Sequence, residues 1–183
     1  MDVIEAIHGR RSIRSFEPRA PDRETLEALI WDAAQAPPPA IRAVKRQAFV
    51  VITGAERLAD MGERAKAYAR SQRADGAAPD WRDDPQFKVF WDAPVLVLVC
   101  ANMAAVESEW DCCRSGQNLM LSAHARGLGS CWVGAPLAWL RSPPGAATAR
   151  PPAGFIAVAP ILVGYPKTTP APRAAERPEV VWA

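Results

Sequence analysis

The chain has 183 residues, 49% of them hydrophobic, which is the size of one domain with enough apolar mass for a buried core. Its 22 basic and 20 acidic residues nearly cancel, so neither nucleic acid nor an anionic membrane is an expected partner. No apolar run approaches the roughly 18 residues of a spanning helix, and Asp2 and Glu5 stand where a signal peptide carries basic residues, so a cytoplasmic location is expected.

The pattern Asp2-Val3-Ile4-Glu5-Ala6-Ile7 predicts a short helix, and Arg10-Arg11-Ser12-Ile13-Arg14 follows it directly. Asp22 is placed to cap a second helix whose apolar stripe is Leu26, Leu29, Ile30 and Ala33, ended by Pro37-Pro38-Pro39. A basic stretch from Arg42 to Arg46 leads into Ala48-Phe49-Val50-Val51-Ile52, a short β-branched run expected to be a buried strand closed by Gly54. Residues 55–70 read as a surface helix, and the polar stretch 71–85, with Gly76 and Pro79, reads as a mobile loop or lid.

The unbroken apolar run Pro94–Cys100 predicts a strand at the sheet centre. A long helical pattern then occupies 104–126, with Gly127 and Gly129 expected to terminate it and Ser130–Gly134 to form a further strand. After a proline-rich connection, Phe155–Gly164 reads as a strand, and Pro160 within it requires either an edge position or a bulge. The tail 167–183 has no core of its own yet ends in Val180-Val181-Trp182, an apolar ending that wants a surface, expected on another subunit.

The chemistry concentrates at residues 10–14. Arginine presents a planar fork of donors that fits two phosphate oxygens at once, and a serine hydroxyl can take a third, so the cluster predicts an anion clamp for a phosphorylated ligand. A solvated basic turn is the alternative. Cys100, Cys112, Cys113 and Cys131 form no Cys-x-x-Cys pair and are expected as reduced thiols, and His8 and His124 are too isolated for a metal site. No Ser-His-Asp set, motif of paired carboxylates or Gly-x-Gly-x-x-Gly loop is present, so no catalytic side chain is assigned.

Four blocks in order resemble the nitroreductase family of flavoproteins: Arg10-Arg11-Ser12-x-Arg14 with Phe16, Asp92-Ala93-Pro94, the helix Asp111-Cys112 through Gln117-Asn118-Leu119 leading to Gly127-Leu128-Gly129-Ser130-Cys131-Trp132-Val133-Gly134, and Pro160–Lys167. The resemblance implies an α+β fold with a mostly antiparallel sheet flanked by helices, an intertwined homodimer and FMN at the interface. It implies that Arg10 and Ser12 hold the FMN phosphate with help from Arg11, that Arg14 faces the pyrimidine edge of the ring, where a fixed positive charge shifts redox potential, and that Val133 and Gly134 line the ring. An arginine of the C-terminal arm, Arg173 or Arg177, would complete the clamp.

The implied activity is ping-pong electron transfer from NADH or NADPH to a small-molecule acceptor such as a nitroaromatic or quinone. One departure is plain. Where the family usually carries an asparagine that bonds the flavin, counting from the prolines places Arg42 and counting back from Phe49 places Ala43. A flavin-binding or structural dimer with reduced or lost turnover is therefore the alternative.

Overall fold

The computed structural model describes residues 1–37, 44–74, 78–172 and 177–182. Apolar, β-branched runs make its sheet. β1 (Gln47–Thr53), β2 (Val95–Asn102), β3 (Gly129–Trp132) and β4 (Phe155–Gly164) lie in the order β1-β2-β4-β3, and every pair is antiparallel. β2 occupies the interior expected of it, with Val95 through Ala101 buried on both faces between β1 and β4.

Strand alternation divides the apolar residues into two cores. On one face Val95, Val97, Val99 and Ala101 meet α2 (Arg23–Ala34) and α4 (Ser108–Ala125) through Leu29, Ala33, Leu119 and Ala123. On the other, Leu96, Leu98 and Cys100 meet α3 (Ala55–Ser71) and α5 (Leu137–Arg141) through Leu58, Met61, Trp139 and Leu140. Burying each of these large side chains contributes about 1.5–3 kcal/mol. The fold is α+β, a sheet flanked by helices on both faces.

Helix termini follow their local chemistry. Asp2 caps α1 (Val3–Gly9) by accepting from the Ile4 and Glu5 amides at 2.7 and 3.1 Å, while Glu5 accepts from the Asp2 amide at 3.0 Å. Asp22 caps α2 by accepting from the Thr25 amide at 2.7 Å, and the Thr25 hydroxyl together with that amide holds its carboxyl below the usual carboxylate range. At the end of α4, Gly127 takes φ +73°, and the Gly127 and Leu128 amides return to the His124 and Ala123 carbonyls at 3.0 and 2.9 Å.

Several expectations are corrected. α4 begins at Ser108, not near 104, because Asn102 draws the preceding backbone into a turn by accepting from the Ala104 amide at 2.9 Å. Gly129 opens β3 and does not terminate the helix, and the strand stops at Trp132. The proline-rich connection is not bare loop: it folds into α5 and α6 (Pro143–Ala149), the latter started by the Ser142 hydroxyl.

Pro160 lies in an interior strand between β2 and β3, so the edge alternative fails and the bulge alternative holds. Val99 pairs with Ala159 and Cys100 with Ala157, leaving Val158 unpaired two residues before the proline. Within 71–85, residues 78–85 are fastened, not loose. Arg73 pairs with Asp83, Arg82 bonds Asp80 and the Ala69 carbonyl, and Lys66, 2% exposed on the inner face of α3, donates to the Asp84 and Phe87 carbonyls at 2.8 and 3.1 Å. Gly76, Pro38, Pro39, Arg42 and Ala43 lie outside the described residues.

Candidate functional site

The five residues of the anion-clamp motif form an extended strap that leaves α1 and runs along the free edge of β3. The Ile13 amide donates to the Ser130 carbonyl at 2.9 Å, and Ser12 and Ser130 form a parallel bridge. Farther on, the Glu17 amide donates to the Tyr165 carbonyl, and the Lys167 amide returns to the Ser15 carbonyl, both at 2.9 Å. Arg19 stacks 3.7 Å over the Tyr165 ring. A Cβ on Gly129 would stand 2.8–2.9 Å from three Ile13 side-chain atoms, so the strap lies this close only because residue 129 has no side chain.

The strap borders a cleft of about 680 Å³ lined by His8, Arg10, Arg11, Ser12, Arg14 and the tail residues Pro170 and Ala171, with Ile7 at its rim. Three guanidinium groups and no carboxylate line it among the described residues, a strongly anion-selective arrangement. The three arginines do not play one part. Arg11 turns its Nη1 back to donate to the His8 and Arg10 carbonyls at 2.7 and 2.9 Å, closing the C-terminal end of α1. Arg10 and Arg14 make no side-chain hydrogen bond or ion pair among the described residues, which leaves both forks available.

Cys131 of β3 is buried behind the strap. Burial pushes its thiol up from the ordinary value, while the Arg14 and Arg10 charges and the Ser12 hydroxyl pull in the opposite direction. The same strap residues therefore act electrostatically on the floor of the sheet. Just beyond β3, the Val133 amide is already committed to the Pro160 carbonyl at 3.0 Å. Gly134 is exposed, its amide has no backbone partner among the described residues, and nothing stands within 4 Å of where its Cβ would be. Of the two residues expected to line a ring, Gly134 can offer a donor and Val133 contributes a buried apolar wall.

The remaining sequence candidates separate. Arg42 and Arg173 lie outside the described residues, and Arg177 is exposed and is not among the described residues lining the cleft. Arg46 does not add free charge: its Nε meets the buried Asp111 carboxylate at 2.5 Å, its Nη2 donates to the Val106 carbonyl at 2.7 Å, and Arg114 meets the other Asp111 oxygen. Gln47 is likewise held, accepting from the Ser115 hydroxyl at 2.7 Å. Sequence reasoning missed the support behind the strap, Ile13 on Gly129 with Ser130 and His124 beneath; the Gly129-Ser130 pair was the available signal.

The nitroreductase family model matches residues 7–142. A relative from Methanothermobacter thermautotrophicus, named as a candidate NADH dehydrogenase/NAD(P)H nitroreductase, is 31% identical over 138 residues. That match covers 73% of this chain and 61% of the relative, so the chain spans less than two thirds of that protein's length. Among solved structures, a nitroreductase with bound FMN from Desulfitobacterium hafniense superposes with a TM-score of 0.84 at 22% identity, covering 100% of this chain and 99% of that one. A nitroreductase with bound FMN from Bacteroides fragilis gives 0.78 at 22% identity, covering 100% and 96%.

Proposed function

Because the chain belongs to the nitroreductase family, we propose that it is an FMN-dependent oxidoreductase that uses NADH or NADPH. The observation that carries this reading is the cleft that, among the described residues, holds no carboxylate and leaves the forks of Arg10 and Arg14 unpaired on either side of Ser12. The donor set fits the cofactor: the Arg10 guanidinium and the Ser12 hydroxyl for a phosphate, the Arg14 guanidinium for the ring edge, and, at Gly134, a backbone donor with space above it.

FMN, when bound, supplies the two-electron exchange by which a nicotinamide donor and then a nitroaromatic, quinone or similar acceptor are served in turn. The chain's own residues bind and orient. Arg10 and Ser12 hold the phosphate, Arg11 shapes the strap that presents them, and Arg14 places positive charge at the pyrimidine edge. Val133 walls the ring, Gly134 donates to it, and Arg42, Arg173 and Arg177 are further candidate contacts from the tail and the segment before β1.

The reading includes one domain over residues 1–183, with 167–183 as an arm on the partner of a homodimer. Val180, Val181 and Trp182 are 58%, 82% and 93% exposed on their own chain, and this supports the arm. A cytoplasmic location is part of it too, and the four free thiols suit a reducing compartment. Arg46 and Gln47, committed to Asp111 and Ser115, favour one alternative: a flavin-binding or structural dimer whose turnover is reduced or lost because neither of these two residues stands in for the family's asparagine.

The test is the visible spectrum of the purified protein before and after NADH or NADPH without oxygen. Bands that bleach establish reduction, persistent bands favour the alternative, and no bands after added FMN overturn both. In the Arg10→Ala variant, loss of charge-assisted bonds of about 1.5–3 kcal/mol should weaken FMN roughly tenfold to a hundredfold. Unchanged flavin content would remove Arg10 from the clamp.

A further inference from the structure

A second cavity, of about 270 Å³, shares Arg10 and Arg11 with the cleft but has other walls, chiefly His124, Leu128, Ser130 and Thr169. Ser12 and Arg14 do not line it. Strand alternation sets the direction of its polar group. A Gly129 Cβ would meet Ile13 and Cys131 packs in the same cluster as Ile13, so Ser130 faces the opposite side, toward α4 and His124.

Ser130 is 2% exposed, and its Oγ has no hydrogen-bond partner, the one such buried side-chain atom among the described residues. A buried hydroxyl left without a partner is costly, and native structures ordinarily satisfy it. His124 approaches from α4 so closely that its Nε2 stands 2.7 Å from where a Gly9 Cβ would be. No carboxylate lines the cavity among the described residues, while two guanidinium groups do. An acceptor oxygen carrying negative charge is what this set lacks.

We infer that the cavity is a second anion site, taking one small oxyanion such as inorganic phosphate or a short carboxylate, held by the Ser130 hydroxyl and the His124 imidazole, with the Arg11 guanidinium beside them and Arg10 on the border with the cleft. The volume lies below the range of sites for drug-sized ligands, which excludes a nucleotide. Because Arg10 borders both spaces, occupancy here pins the strap from behind.

The experiment is thermal unfolding and isothermal titration of the full chain with inorganic phosphate, in saturating FMN so that a nucleotide phosphate already fills the clamp, comparing wild type with Ser130→Ala. In phosphate-free buffer the variant should melt at or above the wild-type temperature, since it loses an unsatisfied hydroxyl. Phosphate should raise the wild-type melting temperature and bind at one per chain, and the variant should bind it about tenfold more weakly, one charge-assisted hydrogen bond. Ser130→Thr, which keeps the hydroxyl, should recover part of that loss.

Equal phosphate binding by wild type and Ser130→Ala, or no binding by either, would overturn the site. So would a variant that melts well below wild type without phosphate, because the hydroxyl would then have a protein partner. A chain that takes up no FMN while still separating the two proteins in phosphate response would refute the flavin reading and leave this one standing.

Discussion

At the scale of single residues, the glycine that opens β3 and the one just beyond it predict opposite outcomes from the same substitution. Gly129→Ala drives a methyl against Ile13 at 2.8–2.9 Å, with β3 backbone on one side and the core on the other. It should cost about 1–3 kcal/mol and displace the strap, so the melting temperature and FMN content fall together. Gly134→Ala meets open space and should leave the melting temperature unchanged. Equal melting temperatures for the two variants would show that the strap does not rest on residue 129.

The thiols give a second residue-scale prediction. Burial pushes Cys100 up to about 11 and Cys112 up to about 12 from 9.0 and also raises Cys131 and Cys113, but of the four only Cys113 is exposed to a reagent. At pH 8 a thiol reagent should therefore modify Cys113 alone in the native protein and all four cysteines in denaturant. For an acid whose value is higher folded than unfolded, the neutral form is favoured in the native state. This stability is complete below pH 9 and declines as pH rises from 9 toward 12, which denaturant titrations across that range should record.

At the scale of elements, α3 and the segment after it act as one unit because Lys66 reaches from the helix's inner face to two loop carbonyls. Lys66→Ala removes both bonds and opens a void, and should cost about 2–4 kcal/mol while making residues 78–87 sensitive to limited proteolysis. Lys66→Met keeps most of the volume and should lose less. Equal protease resistance in all three proteins would show that the ion-pair contacts of Arg73 and Arg82 suffice.

That latch was not legible in the sequence, where a lysine on an amphipathic helix reads as solvated and a polar, proline-containing stretch reads as loose. Elements defined by local chemistry were legible: the Asp22 cap, the Gly127 turn, and β2 as the interior strand. Elements set by long-range fit were not. Pro160 demanded a local irregularity, but only the pairing of Val99 with Ala159 and Cys100 with Ala157 shows that β4 carries a bulge at Val158, and only the β3 register shows that the proline lies just past the last β3 pair, Trp132 with Ile161. In the site, the clustering of Arg10, Ser12 and Arg14 followed from adjacency. That Arg11 turns back onto α1 and that Val133 spends its amide on Pro160 depended on contacts distant in sequence.

At the scale of the whole molecule, exposed apolar side chains recur at the chain's far end, on the last residues and at Trp31, beside a groove between α2 and β1 lined by Ile30, Ala48 and Phe49. β1 is an edge strand, paired only with β2 among the described residues. Ending the chain after Lys167 keeps the Lys167–Ser15 bond and removes the arm. Light scattering should report dimers for the full chain and monomers or aggregates for the truncated one, and a well-behaved truncated dimer would rule out the proposed role of the arm.

The strap binds an early stretch of the chain, residues 12–17, to two late ones, Ser130 and residues 165–167. During synthesis, α1 and α2 can form as they emerge, but the strap has no edge to lie on until β3 exists and no closing bonds until residue 167 has left the ribosome. Contacts of such sequence separation are slow to close and form late. On the proposed reading, capture of FMN then comes among the last events in the maturation of this protein, and nascent chains stalled short of that point should carry a helix and sheet nucleus that is still unable to take it up.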